Sequence, residues 1–364
     1  MNRPHQSTRG WYRLHISTIA ALLVVPAAVA YCEVQSLATE PSDTNRVSDN
    51  MEDAIQEQQS QTKLLKAIAA GELSKEQMQA AVADLVPLLQ TPHRPMTLAT
   101  LSRIFEQYPD IFDTELVAFA QLLHEARAGT LQSEAWLCRL LQALAIPRRL
   151  PEPVIDQLDA IFSHQPEIQF AAPKAAALLL KHEPSRQDIV PWFKEKLKAD
   201  ERDARMRAAD ALGWVGNSAQ GLGESLHVLL NDRRVAVRVV AANALLRMEG
   251  SSPEIAEVLS ESLTIPSESV VVVPITVSEW TMDHRHLAVE SLRQIGKGAG
   301  IAAENIAKLL ADPDDVLRSS AARALGKLDS TSPTVMEALL QAQSDQNAHV
   351  REAARSSLSA LRNN

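Results

Sequence analysis

The stretch D-P-D-D-V-L-R-S-S-A-A-R-A-L-G-K-L, residues 312–328, recurs in outline at fixed distances along the chain, and a fixed period narrows the choice of fold more than any local signal. Counted from Arg318, Leu317 lies at −1, Ala321 at +3, Ala324 at +6, Leu325 at +7 and Leu328 at +10. These positions share one face of a 3.6-residue helix. The same frame on Arg205, Arg238, Arg285 and Arg351 places Ala208, Ala241, Ala288 and Ala354 at +3 and Leu212, Leu245, Leu292 and Leu358 at +7. Successive anchors are 33, 47, 33 and 33 residues apart, which is one period with 14 extra residues in its second step. A period of that size specifies a solenoid, in which each unit buries its apolar face only against its neighbours.

Composition agrees with stacked helical layers: 46% hydrophobic residues, only 4% aromatic and few glycines. An array also explains how 364 residues can fold without one large core. The net charge of −9 repels nucleic acid and anionic membrane surfaces. With only Cys32 and Cys138 present, neither a disulfide scaffold nor a cysteine-rich metal site can be built.

Residues 1–30 have the layout of an export signal. Arg3, Arg9 and Arg13 precede an apolar run from Ile16, and Ala28-Val29-Ala30 supplies a small-x-small cleavage site. Cleavage is expected after Ala30 and location is expected to be periplasmic or secreted. An uncleaved anchor and a lipidated Cys32 are the alternatives; Tyr31 stands where lipidation requires a small residue. Membrane contact is expected only through this signal. Residues 31–62 read as an acidic, disordered leader rich in Ser, Gln and Glu.

Residues 63–168 read as diverged helical repeats. Ser74 and Gln77 fit a capping box opening a helix that stops at Thr91-Pro92. Further helices are expected over 95–107, from Asp113 towards Gly129, and over about 133–145, 152–163, 168–181 and 186–199, separated by Pro or Gly turns. One upstream copy falls in register, with Ala172 in place of the arginine, Ala175 at +3 and Leu179 at +7.

Residues 169–364 are the regular half. D-D-V-L-R-S-S-A-A-R-A-L-G and D-A-R-M-R-A-A-D-A-L-G resemble HEAT-like repeats of the phycobilisome-lyase type, whose signature is Asp, a short gap, Val-Arg and Ala-Ala-x-Ala-Leu-Gly. The resemblance implies an all-α solenoid of helix pairs, each with an outer helix such as 302–311 and an inner helix such as 315–328. The arginine ladder, Arg205, Arg238, Arg285, Arg318 and Arg351, is expected to pair with turn aspartates from the set Asp203, Asp232, Asp283, Asp312 and Asp345, tying repeat to repeat. A basic row for an acidic peptide is the competing reading. Specificity would then reside at non-repeating positions.

The extra residues fall at 264–282, a β-branched segment expected to form a loop or short strand pair, with Val271, Val273, Ile275 and Trp280 as candidate contacts for a protein partner. The alternative is that it covers the edge of its own repeats.

Chemistry is sparse. Two His-Glu pairs, His124-Glu125 and His182-Glu183, invite comparison with the deoxyhypusine hydroxylases, which resemble this chain in repeat class and bind two irons through four such pairs. Two pairs, with Pro184 directly after the second, make a weak metal site. Bilin lyases share the repeat type but act on cytoplasmic substrates, which the export signal disfavours. No nucleophile elbow or phosphate loop is present. The sequence therefore reads as an exported protein-binding scaffold without catalytic residues or cofactor, and a metal-dependent or lyase-like factor is the alternative.

Overall fold

The computed structural model describes residues 73–362 except 91–93, 110–112, 128–130, 164–168, 187, 220 and 271–281, together with scattered positions between 56 and 67. The export signal, Cys32, most of the acidic leader, and Val271, Val273, Ile275 and Trp280 lie outside the described residues.

The chain is all-α, in two compact units: 1–128 with 139–157, and 129–138 with 158–364. The first contains α1 (Lys75–Leu85), α2 (Arg94–Gln107) and α3 (Asp113–Ala126). Ser74 opens α1 with the expected capping box: its hydroxyl accepts from the Gln77 amide while the Gln77 side chain accepts from the Ser74 amide. Met78, Val82, Leu85 and Leu89 form its buried stripe, and Phe105 and Phe119 meet in a tilted ring contact with centroids 6.0 Å apart. The following helices are α4 (Leu131–Leu144) and α5 (Glu152–Ser163).

The second unit is a solenoid of helix pairs. Its inner helices are α6 (Ala171–His182), α8 (Arg202–Val215), α10 (Val235–Met248), α12 (His284–Ile295), α14 (Asp315–Leu328) and α16 (Ala348–Arg362), each packed on the next. Their partners are α7 (Ile189–Lys196), α9 (Gly223–Leu229), α11 (Pro253–Ser262), α13 (Ala303–Lys308) and α15 (Pro333–Ala342). The helix expected over 302–311 is α-helical only at 303–308, with 3-10 turns over 296–302 and 309–311 on either side.

The frame explains the stacking. The five alanines at +3 are wholly buried, as are the leucines at +7, with Leu358 least so at 2% exposure. Glycines at +8 bring neighbouring backbones together. A Cβ on Gly213 would lie 2.9 Å from Ala244 Cα, and one on Gly326 would lie 2.5 Å from Ser357 Oγ. Ser357 uses that proximity to donate a 2.8 Å hydrogen bond to the Ala322 carbonyl. Stacking also continues past the 14 extra residues, because α10 packs on α12 and buried Asn243 Nδ2 donates to Ser291 Oγ at 2.8 Å.

The extra segment begins and ends in a strand pair, β1 (Ser269–Val270) antiparallel to β2 (Met282–Asp283). Glu268 ties this base to the array. Its carboxylate accepts from Arg234, from Arg202 at 3.3 Å and from the Ala236 amide at 3.1 Å. Buried His284 closes the other side: Nδ1 accepts from the Glu268 amide at 3.1 Å, and Nε2 lies 3.0 Å from the Ser262 carbonyl.

Candidate functional site

The arginine ladder is consumed by the fold. Arg205 sends Nε to Asp232 at 2.7 Å and Nη2 to the same carboxylate at 3.0 Å, while Nη1 reaches the carbonyls of Ala199 and Asp200. Arg318 repeats the pattern with Asp345 at 2.8 and 3.0 Å and the carbonyls of Asp312 and Pro313. Each arginine thus joins the turn before its own helix to the turn before the next. The aspartates serve twice, since Asp232, Asp312 and Asp345 each also accept from the amide two residues on.

The exceptions are instructive. Arg285 reaches Asp312 at 2.7 Å through Nη1 and turns Nε and Nη2 onto Asp283, because strand β2 replaces the usual preceding turn. Arg238 donates to the Asp232 carbonyl, and no carboxylate among the described residues pairs with it. Position +27, where the other partners stand, falls there on Ile265. Arg351 donates to the carbonyls of Asp345 and Gln346. Asp203 pairs with Arg202 instead of a frame arginine; it stands 31 residues after Ala172, outside the +27 position of the other partners.

The His-Glu pairs do not resemble a metal centre. His124 and Glu125 are exposed on α3, and Glu125 accepts from Gln121 and Gln90. His182 ends α6 and Glu183 caps it. Burial, with Lys181 beside it, depresses the His182 imidazole to about 4, and its buried Nε2 has no hydrogen-bond partner among the described residues. No group of three or more His, Cys, Asp or Glu placed to hold a metal occurs among the described residues. Burial raises the Cys138 thiol to about 12, so it sits in the core as an inert thiol.

What remains is the non-repeating row on the inner helices. Position +5 is Asp210, Asn243, Glu290 and Arg323 in successive copies, polar each time and never the same. Some of these side chains meet those at +2, +8 and +9, in two separate groups. Lys174 of α6 meets Asp210 of α8 at 2.5 Å, and Trp214 donates from Nε1 to the same carboxylate at 3.3 Å. The Arg247 guanidinium of α10 lies 4.5 Å from the Trp214 ring centroid, seated across Gly213. Arg207 lies 4.7 Å from the Phe170 ring centroid. Further along, Glu290 pairs with Arg293 at 2.5 Å, and Arg323, which feels both charges, donates to Ser319 and Ser320 on its own helix.

Burial depresses the Arg247 guanidinium, opposed only by the charge of Asp210, and its Nε and Nη1 are buried with no acceptor among the described residues. Reading the +5 column down the copies would have found this row from sequence. The meeting of Trp214 with Arg247, both at +9, shows only once the helices are stacked.

Residues 271–359 match the family model described as HEAT repeats. Among solved structures, an engineered protein is 17% identical, covering 90% of this chain and 88% of its own, with a TM-score of 0.39. A structure of human deoxyhypusine hydroxylase in complex with glycerol is 18% identical over 81% of this chain and 99% of its own, with a TM-score of 0.33. No curated protein matches the chain. The structural likenesses are too distant to say anything of activity. The matched stretch includes the regular copies anchored at Arg285, Arg318 and Arg351, which are similar to HEAT repeats.

Proposed function

We propose that the protein is an exported scaffold that binds a protein partner along the non-repeating row of its inner helices, without catalysis of its own. The observation that carries this reading is the division of labour within each inner helix. Anchor, +3 and +7 positions are spent on stapling and stacking, whereas +5 is polar in every copy and never the same residue, and +9 is polar or aromatic in all but the last copy, where Ala360 stands. Solenoids provide extended surfaces of this kind. The Asp, Val-Arg and Ala-Ala-x-Ala-Leu-Gly pattern supports a phycobilisome-lyase subtype for the repeats, and Arg3, Arg9, Arg13 and the apolar run from Ile16 support export.

A photo-crosslinking residue at position 323 on the row, compared with one at position 228 on α9, tests the binding surface. Position 228 is 70% exposed and belongs to a partner helix, so it serves as a control. The reading expects one identifiable protein captured from 323 and not from 228, followed by reconstitution of the complex from purified components. Equal capture from both positions, or none, overturns it. Stoichiometric iron in the purified protein would overturn the non-catalytic part, and a mature N-terminus other than Tyr31 would overturn the expected cleavage.

A further inference from the structure

We infer that residues 264–270 form a strap across the inner helices, fastened by Glu268, so that how firmly α8, α10 and α12 are held is set from the extra segment and not from within the repeats. Two fixtures that regular copies carry in themselves are missing at α10. The first is the helix cap. Asp314, at −4 of its frame, accepts from the Val316 and Leu317 amides and caps α14. The same position before α10 is Arg234, which gives no side-chain cap and places positive charge at the positive end of the helix. The second is the staple, since Arg238 has Ile265 at +27 where Arg205 and Arg318 have Asp232 and Asp345.

Glu268 stands in for both. Its Oε2 accepts from the amide of Ala236, the second helical residue, at 3.1 Å, as an N-cap side chain would, while Oε1 accepts from Arg234 and balances its charge. The same Oε1 accepts from Arg202, the first residue of α8, at 3.3 Å. Through its backbone Glu268 reaches α12: its amide donates to His284 Nδ1 at 3.1 Å and its carbonyl accepts from the His284 amide at 3.0 Å. A regular staple joins one turn to the next, as Arg318 does with Asp345. Glu268, its side chain 12% exposed, joins three inner helices through one residue. The contacts are therefore coupled: whatever displaces residues 264–270 loosens α8 and α10 together, and whatever orders α10 holds the strap in return.

Hydrogen exchange by mass spectrometry on the full chain tests this. Glu268→Gln should speed exchange about tenfold or more in residues 234–242 and 264–270, as loss of charge-assisted hydrogen bonds implies, and leave 314–322 unchanged. Asp314→Asn, the control, should do the reverse. Combining Glu268→Ala with Arg234→Asp gives α10 a cap of its own and leaves the strap unfastened, so protection should return in 234–242 and stay lost in 264–270. Exchange unchanged in either stretch with Glu268→Gln overturns the inference, as does one exchange map shared by Glu268→Gln and Asp314→Asn. Recovery of both stretches in the double variant, which would make Glu268 a cap and nothing more, or of neither, also overturns it. Should Glu268→Gln fail to fold, Arg202→Gln removes only the α8 arm. It is expected to speed exchange several-fold in 264–270 with 314–322 unaffected, and no change in 264–270 would sink the strap.

Discussion

At Gly213 and Gly326 a single hydrogen in place of a methyl group sets how closely two helices approach. The nearest atoms to a Cβ on Gly213 are the Cα and Cβ of Ala244, at 2.9 and 3.1 Å, which belong to a neighbouring helix and cannot swing away. Gly213→Val should therefore overpack the α8–α10 contact and destabilise the fold by about 1–3 kcal/mol, outweighing the few tenths gained in helix propensity. Gly300→Ala provides the contrast, since nothing lies within 4 Å of its added Cβ and its φ is not positive. It should be neutral or stabilise by about 0.4–1 kcal/mol by restricting the unfolded chain. Chemical denaturation of both variants checks the pair. Equal effects would refute the packing argument. His182 carries a pH signature at the same scale. Its imidazole is held at about 4 in the fold, below the usual 6.5, so the folded state resists a proton that the unfolded chain accepts. This group's contribution is fully present above about pH 6.5 and is lost progressively as pH falls towards 4. His182→Gln should flatten the stability profile in that window, read as urea midpoints between pH 7 and 4.5.

Within an element, the frame arginine does three jobs: it holds its own preceding turn, grips the next turn and fills the space between. Asp345→Asn leaves Arg318, 6% exposed, with half a fork and an unbalanced charge, and should cost about 3 kcal/mol. Arg351→Ala should cost only about 1 kcal/mol, since that arginine donates to carbonyls of its own turn alone. A double-mutant cycle of Arg318→Met with Asp345→Asn should return a coupling above about 1 kcal/mol, and a coupling near zero would remove the staple. Arg318 also holds the Asp345 carboxyl below the usual carboxylate range, so the contribution of this pair is present above about pH 4 and fades as pH falls below it. These elements were legible in sequence because stacking repeats itself: the same Arg, Ala and Leu are required every 33 residues, and Ser74 with Gln77 announces a helix start by local chemistry alone. Glu268 was not legible. It stands 30 residues after Arg238 instead of 27 and binds Arg202 and Arg234, which lie outside the anchor column. The Trp214–Arg247 contact was hidden for a related reason, since two different residues at one frame position give no periodic signal until the helices are set side by side.

Across the array, stability is approximately the sum of what each repeat contributes and what each interface between neighbours adds, so continuity at the irregular step decides whether the second unit unfolds as one body. The 14 extra residues fall between α10 and α12, yet both layers pass through that step. In the inner layer Ala241, Leu245, Ala288 and Leu292 are buried and Asn243 bonds Ser291. In the outer layer α11 packs on the turn at 296–302, and Asn305 Nδ2 donates to Ser260 Oγ at 3.1 Å and lies 3.3 Å from its carbonyl. Glu268 and His284 secure the base of the extra segment from the side of the array. Contacts among the described residues thus hold both layers across this step. Val270 pairs with Met282, a register that a two-residue turn can close, so replacing 271–281 by Asn-Gly should convert the base into a tight hairpin. The shortened chain should keep its stability within about 0.5 kcal/mol, a change of no more than about 2 °C in Tm for a unit of this size, and should keep the same number of unfolding transitions. If the melt instead separates into two steps, residues 271–281 are what joins the repeats on either side, and the Asn243–Ser291 contact is too weak to carry the array across the gap.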